Sequence, residues 1–177
     1  MRIRMFLAVT TAFSWVFASG AAIADPSAGN GDLDEAFLAL LVGDWEMKGR
    51  ARPTESAPWY NTGSSMSAYS ALNAQAVQRD IAAPFINLEA KDFVWFHPAT
   101  GQYTYVYLSS NVPQAIVMQG SRTGDREITV IHEESNSKTV IRLINNDEMV
   151  AQDFETNADG SEWMSREVFH YREKKDE

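Results

Sequence analysis

A chain of 177 residues with no cysteine has no disulfides, no thiol chemistry and no cysteine-ligated metal. Its net charge of −9 repels nucleic acid and anionic lipid headgroups, since close approach costs electrostatic work and gains nothing from counterion release. Neither is an expected partner.

The chain opens on the basic tetrapeptide Met1-Arg-Ile-Arg4 and runs through an apolar stretch from Met5 to Ala22, diluted by Thr10, Thr11, Ser14 and Ser19. That is the layout of a secretory signal; a membrane-spanning helix needs about 20 predominantly apolar residues. Ala22-Ile-Ala24 supplies small residues where a signal peptidase reads, and Asp25-Pro26 follows. Residues 1–24 are therefore expected to be cleaved, leaving a soluble protein in the periplasm or secreted, and without a cysteine it cannot be anchored by a lipidated one. Removing 24 of the 177 residues leaves 153, the size of one ordinary domain; it also takes away two basic residues and no acid, so the net charge moves from −9 to −11. Residues 25–31 are small and polar and read as a disordered leader, so the folded domain is expected over residues 32–174.

From Asp32 to Val42 the apolar residues Leu33, Phe37, Leu40 and Leu41 fall at helical spacing, with acids in the first turn where the helix dipole favours them. Gly43 stops this helix. The period then changes to two, with Trp45, Met47, Gly49 and Ala51 alternating against Glu46, Lys48, Arg50 and Arg52. Nine further strand-like runs follow, over residues 62–72, 75–85, 88–96, 102–109, 114–122, 127–133, 139–144, 149–155 and 162–171. Short turn signals such as Pro98-Ala-Thr-Gly101, Asn145-Asn-Asp147 and Asn157-Ala-Asp-Gly160 separate them. Connections this short make antiparallel neighbours, and residues 53–61, with two prolines, read as a flap or mouth loop. Ten consecutive strands with one apolar face would leave two exposed edges, and closure into an up-and-down antiparallel barrel removes both. Eight strands enclose just enough room for side chains or one small ligand, so ten predict a cavity.

Gly43-Asp-Trp45 after a short helix resembles the Gly-x-Trp signature of the lipocalin and fatty-acid-binding barrels. Phe96-His-Pro-Ala-Thr-Gly-Gln-Tyr-Thr104 resembles the Tyr-Asp-Pro-Ala-Thr-Gly-x-Tyr-Thr hairpin of a family of bacterial lipocalin-like (calycin superfamily) secreted proteins of unknown function, and the ending Asp159-Gly-Ser-Glu-Trp163 with Glu167-Val-Phe-His-Tyr-Arg172 resembles its last strand. His97 departs from the family's aspartate. The likeness spans residues 33–174 and implies a barrel around an apolar pocket, with no settled activity. It implies that Gly43 permits the turn from helix to strand, that Trp45 plugs the barrel floor and that Arg172 packs near that ring. Related small barrels can hold haem through one axial histidine, which brings in haem as a candidate cofactor on His132 or His170.

The three histidines, at 97, 132 and 170, lie outside metal-ligand spacing of one another, so no metal site is expected. Gly-x-Ser-x-Gly is absent, although Ser64, Ser65, Ser67 and Ser70 cluster on the second strand. Asp80, Asp92, Asp153 and Glu167 sit in mixed strands where an inward acid beside Arg79, Arg142 or Arg166 could orient a polar head group or move a proton. Phe93 and Trp95 share one strand face, Tyr103, Tyr105 and Tyr107 another, and Met66 and Met118 add adaptable apolar surface. The leading expectation is a protein that binds a small apolar molecule in its interior, with Met66, Trp95, Tyr105, Met118 and His132 as contacts. Two other classes stay open. One is a cavity isomerase, cyclase or hydrolase using an inward Asp or His, marked by an Asp80 or Glu167 of raised pKa facing the cavity beside Arg166. The other is an interaction module, a homodimer included, that docks through an outer aromatic face and has a tightly filled interior.

Overall fold

Helix α1 (Gly31–Leu41) leads into ten strands: β1 (Gly43–Ala51), β2 (Tyr60–Ala71), β3 (Ala76–Ala83), β4 (Leu88–His97), β5 (Gln102–Ser109), β6 (Val112–Gly124), β7 (Glu127–His132), β8 (Ser137–Leu143), β9 (Glu148–Thr156) and β10 (Glu162–Arg172). The computed structural model describes residues 31–173; the proposed signal and leader, up to residue 30, lie outside them. Every strand pairs antiparallel with its sequence neighbours, and β1 also pairs with β10, so the sheet closes into the ten-stranded up-and-down barrel that the alternating pattern predicts. Closure leaves no sheet edge open. No helix among the described residues is long and apolar enough to cross a membrane.

One end of the barrel is shut by α1. Asp34, Phe37, Leu38 and Leu41 form its buried stripe, at the three- and four-residue spacing of one helix face, while Leu33 stands exposed and does not join them. The difference comes from Asp34, which takes the inward position because it has a partner there: its Oδ1 accepts a 2.6 Å hydrogen bond from the Tyr103 hydroxyl, and Arg122 Nη1 lies 3.6 Å away. The acid expected to serve the helix dipole is a buried anchor instead. Burial and the neighbouring Asp34 carboxylate push the Tyr103 hydroxyl pKa up, so it stays a donor.

Trp45, fully buried, donates from Nε1 to the Leu41 carbonyl at 3.0 Å, and the Arg172 guanidinium lies 4.2 Å from its ring centroid. Arg172 also donates to the carbonyls of Val42 and Leu40, at 2.6 and 2.8 Å, satisfying the orphan acceptors at the helix end. Gly43 makes this approach possible: its φ is +138°, and a Cβ there would stand 2.3 Å from Arg172 Nη1. Gly43→Ala is expected to cost about 1–3 kcal/mol, read as a lower urea midpoint at unchanged slope.

Strand β3 stops at Ala83, short of the expected residue 85, because Pro84 brings no N–H to the ladder and starts a 3-10 turn, Pro84–Ile86, closed by Asn87 in the left-handed conformation. At the expected Pro98–Gly101 turn, Thr100 and Gly101 both donate their N–H to the His97 carbonyl, and the His97 ring contacts Thr104 Oγ1 at 3.0 Å. Backbone groups close the turn without an aspartate.

Candidate functional site

With α1 filling one end, the inward side chains toward the other end enclose a cavity of about 240 Å³. Its wall is chiefly apolar, with Met47, Met66, Ile81, Ile141 and Val168 among the lining. Strand alternation places a few polar groups among them. Arg79 on β3 and Asp92 on β4 are direct cross-strand partners. Arg79 Nε donates to Asp92 Oδ1 at 2.5 Å and Nη2 to Oδ2 at 2.9 Å, and the Tyr105 hydroxyl donates to Oδ2 at 3.0 Å. The Arg79 and Asp92 side chains are 5% and 0% exposed. Burial and the Asp92 charge push the Tyr105 pKa up, so the phenol keeps its proton.

Strand β10 sends Arg166, Val168 and His170 into the same cavity. Arg166 Nε donates to Asp153 Oδ2 at 2.6 Å, and Asp153 Oδ1 accepts from Thr139 Oγ1 at 2.8 Å. The Nη groups of Arg166 hydrogen-bond to nothing among the described residues, and the side chain is partly open. His170 is 3% exposed and its buried Nδ1 has no hydrogen-bond partner among them. Burial, then the charges of Arg79 and Arg166, lower the His170 pKa to about 3, with the backbone of Met149 and Val168 pulling the other way. The ring is neutral at any ordinary pH. A second cleft, about 470 Å³, opens at the mouth and shares Tyr105, Tyr107, Thr139 and Arg166 with the cavity.

Met66 and Tyr105 line the cavity, and Tyr105, Met118 and His132 line the mouth cleft, so four of the five expected contacts are divided between two adjoining spaces that Tyr105 joins. Trp95 lines neither. Alternation along β4 sends Asp92, Val94 and Phe96 inward, leaving Trp95 outside, 38% exposed, with its ring 4.4 Å from that of His97. His132 sits at the rim, its Nδ1 2.6 Å from Ser135 Oγ. Ser135 lies in an exposed turn and also contacts Ser137 Oγ, so this is a turn contact with no buried nucleophile. Arg166 and His170 are absent from the expected contacts, and the Nη groups of Arg166 keep hydrogen-bonding capacity inside the cavity.

Asp80 and Glu167 do not mark an enzyme. Asp80 faces outward, where hydrogen bonds from Lys91 and Gln78 hold its pKa below the usual carboxylate value. Glu167 also faces outward and pairs with Arg50 and Gln152. Among the described residues no group of three or more His, Asp and Glu side chains is arranged to hold a metal ion. Haem does not fit beside His170: a cavity of about 150 Å³ takes one benzene, and about 240 Å³ is too small for a four-pyrrole macrocycle. The outer face carries exposed Trp95, Leu108, Val117 and Ile131, but the interior beside it is hollow.

No family model matches the chain, and no curated protein matches it. Solved structures do. The S-type phycobiliprotein lyase CPES from Guillardia theta is similar with a TM-score of 0.57 and 10% identity, over 80% of this chain and 93% of that one. Rv2717c from M. tuberculosis is similar with a TM-score of 0.54 and 11% identity, over 80% of this chain and 98% of that one. At this identity the likeness is one of fold. The chain thus shares with them the fold of a closed antiparallel barrel, shut at one end and hollow at the other.

Proposed function

We propose that this is an exported protein of the bacterial lipocalin-like family its sequence resembles, and that it carries one small, mainly apolar molecule inside the barrel. The carrying observation is the cavity of about 240 Å³, walled mostly by apolar side chains and furnished with a few convergent polar groups, which is how small-molecule sites are built. Binding suits these groups better than turnover. The carboxylate of Asp92 is occupied by a guanidinium and a phenol, and His170 is too weakly basic near neutral pH to accept a proton. Export rests on Met1-Arg-Ile-Arg4, the apolar stretch behind it and Ala22-Ile-Ala24.

The protein expressed in a bacterium is expected to start at Asp25 and to show, in native mass spectra, an added small mass that leaves on unfolding. An intact amino terminus in the cytoplasm sinks the export reading. A bare folded mass that takes up no apolar fluorescent probe sinks the carrier reading.

A further inference from the structure

The polar groups on the cavity wall differ in what they ask of a guest. The hydroxyls of Tyr60, Thr62, Ser64 and Tyr107 and the neutral imidazole of His170 can each give or take a hydrogen bond, so they set no preference. Asp92 and the two arginines have fixed roles, since a carboxylate only accepts and a guanidinium only donates. Asp92 is 0% exposed and already receives two hydrogen bonds from Arg79 and one from Tyr105. Arg79, itself 5% exposed, is turned to that carboxylate. Arg166 is different: its side chain is 42% exposed, only Nε is engaged, and the Nη groups stand where cavity and mouth cleft meet. The open group of fixed role is therefore a donor, and its complement is an acceptor. Charge narrows the class. Asp92 lies against Arg79 and Asp153 against Arg166, so the wall is neutral as it stands. An anion would leave water for a wall whose cations are already balanced. It would also pass Glu155, which has no ion pair among the described residues, while Lys138 beside it is paired with Glu162. A cation would face two guanidinium groups.

We propose that the ligand is an uncharged carbonyl compound, with its oxygen on the Nη groups of Arg166 at the neck and its apolar body below, among Met66, Ile81, Ile141 and Val168. The inference rests on the carrier reading and adds the ligand's class. A carbonyl oxygen accepts and brings no proton of its own to be satisfied, so it matches the open donor and needs nothing further from the wall. A charged donor makes this bond a strong one. The ligand brings no charge, so neither the net charge of −9 nor the balanced ion pairs oppose its entry. A cavity of about 150 Å³ holds one benzene, so about 240 Å³ holds one ring with a short substituent.

Calorimetric titration of the purified protein with benzylacetone, phenylpropionate and butylbenzene tests this directly, because the three share a phenylethyl body and differ in carrying a ketone, a carboxylate or no polar group. The ketone is expected to bind tightest, and each of the other two roughly tenfold or more weaker, the scale of one hydrogen bond to a charged group. Arg166→Met should bring ketone and hydrocarbon to nearly equal affinity, whereas Tyr107→Phe and Thr62→Val should leave their ratio unchanged. The three ligands on the unmodified protein decide the matter even if a variant fails to fold. Phenylpropionate binding as tightly as the ketone overturns the inference, since the neck then takes an anion. Butylbenzene binding as tightly overturns it as well, since the carbonyl then meets no donor. Binding of naphthalene with none of the three also overturns it, and in all these cases the carrier reading stands. If naphthalene is refused too and the native mass is bare, the carrier reading falls and the inference with it.

Discussion

Replacing Asp92 with alanine is expected to destabilise the barrel by about 3–5 kcal/mol, the usual cost of removing one partner from a buried ion pair. Its carboxylate receives two hydrogen bonds from Arg79 and one from Tyr105, and neither the acid nor the arginine has useful access to water. The guanidinium cannot escape by losing its proton, so in the variant a full charge sits in an apolar cavity with no counter-charge in contact. For a domain of this size the loss lowers the melting temperature by on the order of 10 °C. The pair Arg79→Met with Asp92→Leu removes both charges and should recover most of the loss, because a buried ion pair and a well-packed apolar pair differ little in net stability. A double-mutant cycle on urea midpoints measures this coupling. If Asp92→Ala alone costs less than about 1 kcal/mol, Arg79 reaches water by rearrangement and its burial is not fixed by the pair.

The barrel was legible because its strands alternate cleanly, and because turns such as Asn145-Asn-Asp147 and Asn157-Ala-Asp-Gly160 stand between them. The site was legible only where one face of a strand was plainly polar. On β7 the inward choice of Ile128, Val130 and His132 follows from Glu127 and Thr129 on the other side. On β4 both faces are apolar over residues 93–96, so a period of two cannot choose between Trp95 and its neighbours, and the error is a one-residue shift. The pairing of Arg79 with Asp92 was within reach: once the chain turns at Pro84–Ile86, a regular hairpin sets these residues opposite each other. The orphaned nitrogen of His170 was not, since it depends on how groups from β3, β9 and β10 pack around one ring. Gly120 shows the same limit. A Cβ there would lie 1.8 Å from the Thr129 carbonyl oxygen, a close strand approach that no local pattern announces.

Acidification should reveal His170 as a stability switch before any carboxylate does. In the unfolded chain its pKa is near 6.5, and in the barrel it is lowered to about 3, by burial first and then by Arg79 and Arg166. Between these values the unfolded state binds a proton that the folded state refuses, so protons pull the equilibrium toward unfolding. The folded state therefore has its full advantage above pH 6.5 and loses about 1.4 kcal/mol for each pH unit below it, or about 2–3 kcal/mol by pH 4.5. That window separates histidine from the acids. Asp80, held low by the hydrogen bond from Lys91, contributes stability that is fully present above its ordinary pKa and is lost only as pH falls below it. Urea titrations between pH 7 and pH 4.5 should show the slope in the unmodified protein and its loss in His170→Phe. The same slope in both proteins would mean that the ring gains a proton without unfolding the barrel. Its Nδ1 would then be in contact with water, and the neutral imidazole would not survive.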